Sequence, residues 1–269
     1  MKKTIFITGA SAGLGKATAK LFQSKGWHVI ATMRNPEIEK ELNSLENVTL
    51  KKLDVSDSEQ LNELITDILQ NHSVDVVVNN AGYGLIGVLE AFTDDQIVRQ
   101  IDTNLLGVIR ISKAFTPYFR EKKQGLFINI SSMLGLWGYP TCSVYSATKF
   151  AIDGFSESLA YELASFNVGV KIIAPGGINT DFAGRSLDGA QHEAYQDIEE
   201  KVMEGYNPEK IQKFRTAESV ALAIYEAATD NNLKLRYVVG EDAEPEFEER
   251  ERIGSEAHYL KIKNIFTIK

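Results

Sequence analysis

Cysteine is almost absent: Cys142 stands alone in 269 residues, so no disulfide can form within the chain, and a reducing, cytoplasmic setting is expected. Positive charge is also in deficit. Lys and Arg number 29 against 37 Asp and Glu, a net charge of −8 with no basic stripe, which argues against partners such as nucleic acid or an anionic membrane. No run approaches the roughly 20 apolar residues that a membrane helix requires. The start MKKTIFITGA sets two lysines before an apolar run, as a signal peptide does, but the run breaks at Gly9 and export is not expected. The four histidines, His28, His72, His192 and His258, lack a metal-ligand spacing, so no zinc site built by the protein is expected. Linkers, repeats and low-complexity tracts are missing too. Residues 1–269 therefore read as one domain, long enough to bury a large core.

What is present is an alternation. Short runs rich in β-branched residues recur at 3–8, 28–32, 48–53, 74–79, 126–131, 168–174 and 236–240, several nearly continuous in apolar residues, as suits a parallel sheet covered on both faces. Helical patterns lie between them. In TDDQIVRQIDTNLLGVIRISKAFTPYF, Ile97, Ile101, Leu105 and Ile109 recur every four residues, and Thr93 with Gln96 has the form of a capping box. The fold class expected is α/β, a three-layer, doubly wound sheet of seven parallel strands. Two segments stand apart: polar, Gly-containing residues 181–215, and the charged tail 241–269.

TGASAGLG, Thr8 to Gly15, comes directly after the first run and opens a helix at about Leu14. At such a junction, glycines let the backbone turn sharply against a pyrophosphate, while the free N–H groups and dipole of the helix favour its charge. Gly9, Ser11, Gly13, Leu14 and Gly15 are the candidate contacts. Asp54, after the third strand, suits either an adenine amino group, with Val55 against the ring, or a helix cap. Which nicotinamide cofactor is favoured is a question of charge. The second strand ends at Met33 with no acid to hold a ribose 2′-hydroxyl, and Arg34 comes next with a guanidinium suited to a 2′-phosphate, so NADP(H) is favoured over NAD(H).

Tyr-x-x-x-Lys occurs four times, at Tyr118/Lys122, Tyr145/Lys149, Tyr206/Lys210 and Tyr259/Lys263. Only Tyr145 has a serine, Ser132, thirteen residues before it; the others have Leu105, Glu193 and Glu246. A helix from about Ser143 to Phe166 puts Tyr145 and Lys149 on one face, a turn apart. A phenol titrates near pH 10, so an adjacent ammonium is needed to lower the cost of its working as a base at neutral pH. Ser132 can donate to an oxygen on which charge develops.

With these motifs, and with NNAG (Asn79 to Gly82), Asn104 and PGGINT (Pro175 to Thr180), the chain resembles the single-domain short-chain dehydrogenases/reductases over residues 3 to about 182. Arg34 and the variant NNAGYG with Tyr83 resemble most the retinol and 17β-hydroxysteroid dehydrogenase-like branch. The resemblance implies an NADP(H)-dependent oxidoreductase acting on a small carbonyl or alcohol substrate. Tyr145 would be the acid/base, Lys149 its pKa modulator and ribose ligand, and Ser132 the substrate-orienting hydroxyl; Asn104 would hold a water for proton relay. Asn80, Ala81 and Gly82 would line the adenine ribose side, while Pro175, Gly176, Ile178 and Thr180 would border the nicotinamide. Trp137 and Tyr139 would wall an apolar pocket, with Phe182 opening a lid over it. A homodimer or homotetramer, paired through the helices of Asn104 and Tyr145, is implied. A non-catalytic nucleotide sensor would be expected to have lost Tyr145 or Lys149; an epimerase would carry a C-terminal substrate domain.

Overall fold

In the computed structural model, which describes residues 2–179, 187–205 and 207–267, the β-branched runs become strands. These are β1 (Thr4–Ile7), β2 (His28–Met33), β3 (Val48–Lys52), β4 (Val76–Asn79), β5 (Gly84–Gly87), β6 (Gly125–Ile130), β7 (Val168–Pro175), β8 (Ile178–Asn179), β9 (Leu187–Ala190), β10 (Arg215–Thr216) and β11 (Arg236–Val239). Seven of them form one sheet in the order β11-β7-β6-β4-β1-β2-β3. Every pairing in it is parallel. The order reverses between β1 and β4, and in such sheets the crevice outside the strand ends at that reversal is where ligands bind.

The helices that position the site are α1 (Gly13–Ser24), α2 (Ser58–Asn71), α3 (Asp94–Ile101), α4 (Gly107–Lys122), α5 (Ser143–Leu163), α6 (Gln196–Glu204), α7 (Ala217–Thr229), α8 (Glu244–Ile253) and α9 (Ser255–Phe266). Side chains alternate along each strand, so each strand feeds two cores. Ile5 and Ile7 of β1 pack with Phe22 of α1 and with Val220 and Ile224 of α7. Phe6, between them, faces the other way, among Ile65 of α2, Phe115 of α4 and Leu159 of α5. Three layers result, as expected. A polar chain also crosses the second interface: Asn79 Nδ2 donates to Ser112 Oγ (3.1 Å) and Asn129 Oδ1 (2.8 Å), and Asn129 Nδ2 donates to Ser156 Oγ (2.8 Å), pinning α4 and α5 to β4 and β6.

The long helical pattern after Thr93 departs from its expectation. Its capping box forms, but the run is α3, a π turn over Asp102–Leu106, and then α4. The π turn inserts a residue and rotates the helix beyond it. Gln100, Asn104, Val108, Ile111 and Phe115 consequently face inward, while Ile101 of the expected apolar stripe is 36 % exposed and Leu105 and Ile109 are only half-buried.

Segment 181–215 is closed at its base, because β8 pairs with β10. Its described part is tied to the body where β9 pairs with β5, Arg99 bridges Asp188 at 2.7 Å, and Tyr195 donates to Glu90 at 2.9 Å. The charged tail is a helix pair, α8 and α9, that docks on its own domain. His258 is buried edge-on against Trp137 and its Nε2 meets Glu246 Oε1 at 2.8 Å, while Phe266 lies edge-on against Tyr139.

Candidate active site

The first turn shows why its glycines stand where they do. Gly9 has φ +67°, and a Cβ there would come within 2.8 Å of Ala81 Cα; a Cβ on Gly15 would run into the Gly9 carbonyl. Gly13 also has positive φ, and Leu14 is buried as the first core residue of α1. The loop is braced from β4. Asn80 Nδ2 donates to the carbonyls of Thr8 (2.9 Å) and Gly9 (3.0 Å), and Thr8 Oγ1 accepts from the N–H groups of Asn80 and Ala81. Asn80 and Ala81 thus shape the turn, and Gly82 lies against Asn104.

The N-terminus of α1 fits an anion. Helices α2, α3 and α7 are capped by the side chains of Asp57, Thr93 and Thr216. Helix α1 has no side-chain cap and no acid in its first turn, so its leading N–H groups are left for a ligand. Ser11 is exposed beside them. The glycine cradle and the uncapped helix together suit a dinucleotide pyrophosphate.

Around this turn stand the other expected nucleotide contacts. Asp54 is not a helix cap, a role that falls to Asp57; its Oδ1 accepts from the N–H and hydroxyl of Ser56. Val55 is buried against Gly107 of α4. Met33 ends β2 inside the core, and Arg34 comes next on the surface without an ion-pair partner among the described residues. Pro175 ends β7 and Ile178 begins β8. Gly176 has no room for a Cβ because the Asp242 carboxylate fills that space, and Asp242 Oδ2 accepts from Gly177 N at 2.7 Å. Thr180 and Phe182 lie outside the described residues.

The candidate acid/base group is assembled from three elements. Ser132 closes β6, and its Oγ accepts from Leu134 N at 3.1 Å. Tyr145 enters from the first turn of α5. It is half-buried; burial pushes the phenol up to about 12, and the neighbouring Ser132 hydroxyl works against that. Lys149 is a turn further on, with Nζ 5.6 Å from the centre of the Tyr145 ring and donating to the Ile130 carbonyl at 2.9 Å. Burial lowers its ammonium to about 8, opposed by the charge of Asp153. Asn104 sits in the π turn, where its Nδ2 donates to Tyr83 O (2.8 Å) and its Oδ1 accepts from Tyr83 N (3.0 Å). Its side chain is therefore occupied in holding the chain after NNAG. Cys142, just before α5, is buried with its thiol pushed up to about 11, so it is no nucleophile.

Three functional neighbours were not read from the sequence: Thr8, Asp242 and Asp153. Thr8 and Asp242 act through backbone groups and carry no spacing signal. Asp153 does carry one, standing one turn beyond Lys149 as Lys149 stands beyond Tyr145.

Trp137 and Tyr139 serve packing as well as shape. With Ile198 of α6 and with Tyr259 and Ile262 of α9 they line a cleft of about 610 Å³ on the side of the loop after Ser132. Among the described residues no group of three His, Cys, Asp or Glu could hold a metal, and no helix is long and apolar enough to cross a membrane.

Comparison with known proteins agrees with this geometry. The family model for short chain dehydrogenase matches residues 3–191. A 3-ketodihydrosphingosine reductase from Bacteroides thetaiotaomicron is 37% identical over 220 residues, 77% of this chain and 80% of that protein. Human (Homo sapiens) retinol dehydrogenase 8 is 36% identical over 194 residues, 69% of this chain and 62% of that protein. Among solved structures, a short-chain dehydrogenase from Streptomyces avermitilis superposes with a TM-score of 0.85 at 31% identity, covering 98% of both chains. ElxO with NADP bound superposes at 0.74 with 32% identity, covering 88% of this chain and 98% of its own. Fold, site geometry and relatives converge: the chain belongs to the short-chain dehydrogenase/reductase family and is a nicotinamide-dinucleotide-dependent oxidoreductase.

Proposed function

We propose that the protein reduces an apolar carbonyl compound with NADPH, in a reversible reaction in which Tyr145 moves the proton. The observation that carries this is the placement of Lys149 one turn behind Tyr145, its Nζ 5.6 Å from the centre of the Tyr145 ring, with Ser132 beside them at the end of the neighbouring strand. A phenol raised to about 12 is protonated at neutral pH, which suits a proton donor in the reductive direction. Ser132 and Tyr145 both present hydroxyls to the carbonyl oxygen, so developing negative charge is met by two donors. As the alkoxide forms, Tyr145 gives up its proton, and the nearby ammonium of Lys149 stabilises the phenolate left behind. The nicotinamide, when bound, is the source of the hydride. Lys149 would also hold its ribose, Pro175, Gly176, Ile178 and Thr180 its ring, and Asp54 the adenine.

NADP is favoured by the surface guanidinium of Arg34 and, by similarity, by the NADP-bound ElxO structure. The apolar substrate is supported by relatives named for ketodihydrosphingosine and retinol. Residues 181–215 act as the lid; cofactor and substrate should then suppress limited proteolysis there. Val98, Ile101, Leu106 and Phe150, exposed on α3, the π turn and α5, form the contact of a homodimer or homotetramer. Light scattering should show the oligomer, with Leu106→Asp dissociating it.

The central test is loss of NADPH absorbance against aldehydes, ketones, quinones, retinoids and steroids. Tyr145→Phe should lower kcat about 10²- to 10⁴-fold while NADPH still binds. Undiminished turnover in that variant would refute the role of Tyr145.

A further inference from the structure

We propose that Asp153 is a positioning residue of this site: it locks the strand end that carries Ser132 to the helix that carries Tyr145, and it faces Lys149 with a fixed negative charge. The proposal rests on the reductive reaction above for its consequence, but not for its geometry.

Tyr145, Lys149 and Asp153 succeed one another at intervals of four along α5, so they share one face. Asp153 is 6 % exposed, an expensive place for a carboxylate unless both its oxygens are engaged. Both are. Oδ1 accepts from Arg236 Nε of β11 at 2.8 Å, and Oδ2 accepts a short hydrogen bond from Ser131 Oγ. Ser131 is the residue before Ser132, and its own N–H donates to Ile173 O of β7 at 2.8 Å. Gly135, in the turn after Ser132, packs so closely that a Cβ would come within 2.9 Å of Asp153 Oδ2 and of the Lys149 carbonyl. One carboxylate therefore joins α5, the end of β6, the turn beyond it and β11. A helix carrying Tyr145 and a strand carrying Ser132 have no reason to keep hydrogen-bond register unless something of this kind fixes them.

The same carboxylate acts on Lys149 through its charge. The Lys149 ammonium donates to the Ile130 carbonyl and lies near the Tyr145 ring. Asp153 is the anion that acts on it, and it opposes the lowering of the ammonium by burial. Asp153 in turn faces Arg236 from β11. A cleft of about 360 Å³ behind α5 brings Glu157 of the same helix and Arg250 and Glu251 of α8 to its rim. Burial raises the Asp153 carboxyl above its usual range, and Ser131 and Arg236 oppose that rise by favouring its ionised form. Without the charge of Asp153, Lys149 would lose its proton at lower pH; without Arg236, an Asp153 carboxylate still held by Ser131 would act on Lys149 with less of its charge offset.

Competitive acetylation of the full protein with acetic anhydride, read by peptide mass across a pH series, gives the midpoint of Lys149 without any turnover. Lys171, buried beside Asp230, is the internal control. In Asp153→Asn the Lys149 midpoint should fall by about one pH unit, in Arg236→Gln it should rise, and Asp153→Glu should restore it. Lys171 should not move. The alkaline limb of the NADPH-dependent rate should shift in the same order. An unchanged Lys149 midpoint in Asp153→Asn, or shifts of one sign in both variants, would overturn the proposal even if stability fell. If Asp153→Asn does not fold, the upward shift in Arg236→Gln decides it alone. A midpoint that moves as stated in a protein that turns over no carbonyl compound would uphold Asp153 and count against the reductase instead.

Discussion

The Lys149 ammonium lies 5.6 Å from the centre of the Tyr145 ring, close enough to stabilise a phenolate, and it does so from a position that is only 7 % exposed. The contact proposed to serve the reaction is thus one that folding alone would not select.

Replacing Lys149 with methionine should therefore abolish activity and stabilise the fold. Burial lowers the ammonium from 10.5 to about 8, so below pH 8 the folded state carries a charge that costs on the order of 3 kcal/mol. The Ile130 carbonyl, left without its donor, takes back about 1 kcal/mol. Lys149→Met should gain about 2 kcal/mol at pH 7. Between pH 8 and 10.5 the folded wild type gives up its proton before the unfolded chain does, so its stability rises with pH and the gap closes. Thermal melts at pH 7 and pH 10 test both halves. A Lys149→Met protein that melts below wild type at pH 7 would show that the buried ammonium stabilises the fold.

The sequence made the sheet legible because strands buried on both faces, such as Thr4–Ile7 and Val76–Asn79, have no polar face to confuse with a helix. It made Ser132, Tyr145 and Lys149 legible because a strand end and a helical repeat restrict where their side chains can go. The stripe of Ile97, Ile101, Leu105 and Ile109 misled because the π turn at Asp102–Leu106 has no mark in the apolar pattern, which assumes a constant period. Beyond its spacing from Lys149, Asp153 is marked by no motif in the sequence, since its partners Ser131 and Arg236 are 22 and 83 residues away in the chain. The charged tail gave no sign of which residues anchor it. His258 and Phe266, which anchor it on Trp137 and Tyr139, are scattered among ionisable side chains that pair with one another, as Lys261 does with Glu246 and Glu249.

Gly15→Ala should separate cofactor binding from the acid/base group. The added methyl meets the Gly9 carbonyl, which is backbone and cannot swing aside, and it also meets Asn80 Nδ2, which holds that carbonyl and the one before it. Both the turn and its brace must shift, at a cost of about 1–3 kcal/mol in stability. NADPH affinity, measured by fluorescence titration, should fall at least about tenfold, because the displaced carbonyl disturbs the N–H groups that open α1. The Ser132–Tyr145–Lys149 group is built on β6 and α5, so a rate measured at saturating NADPH should remain near wild type. A variant that binds NADPH normally would place the pyrophosphate elsewhere.

Arg34→Ala addresses cofactor choice through charge alone. Arg34 is exposed and has no ion-pair partner among the described residues, so removing it should leave stability within about 0.5 kcal/mol of wild type. If its guanidinium clamps a 2′-phosphate, the loss of a charge-assisted hydrogen bond worth about 1.5–3 kcal/mol raises KM for NADPH roughly ten- to hundredfold. NADH lacks the phosphate, and its KM should not move. Steady-state kinetics with both cofactors, at low and high salt, check the electrostatic origin: the NADPH advantage of the wild type should shrink as salt rises, and that of Arg34→Ala should be small throughout. The opposite pattern, equal losses with NADPH and NADH, would mean that Arg34 holds the adenosine half of the cofactor without reading its phosphate. Selection would then have to come from other residues of the loop after β2, where Glu39 and Glu41 are balanced by Lys16, at 2.9 and 3.0 Å, together with Lys20 on Glu41, and so leave that side of the site open to an anion.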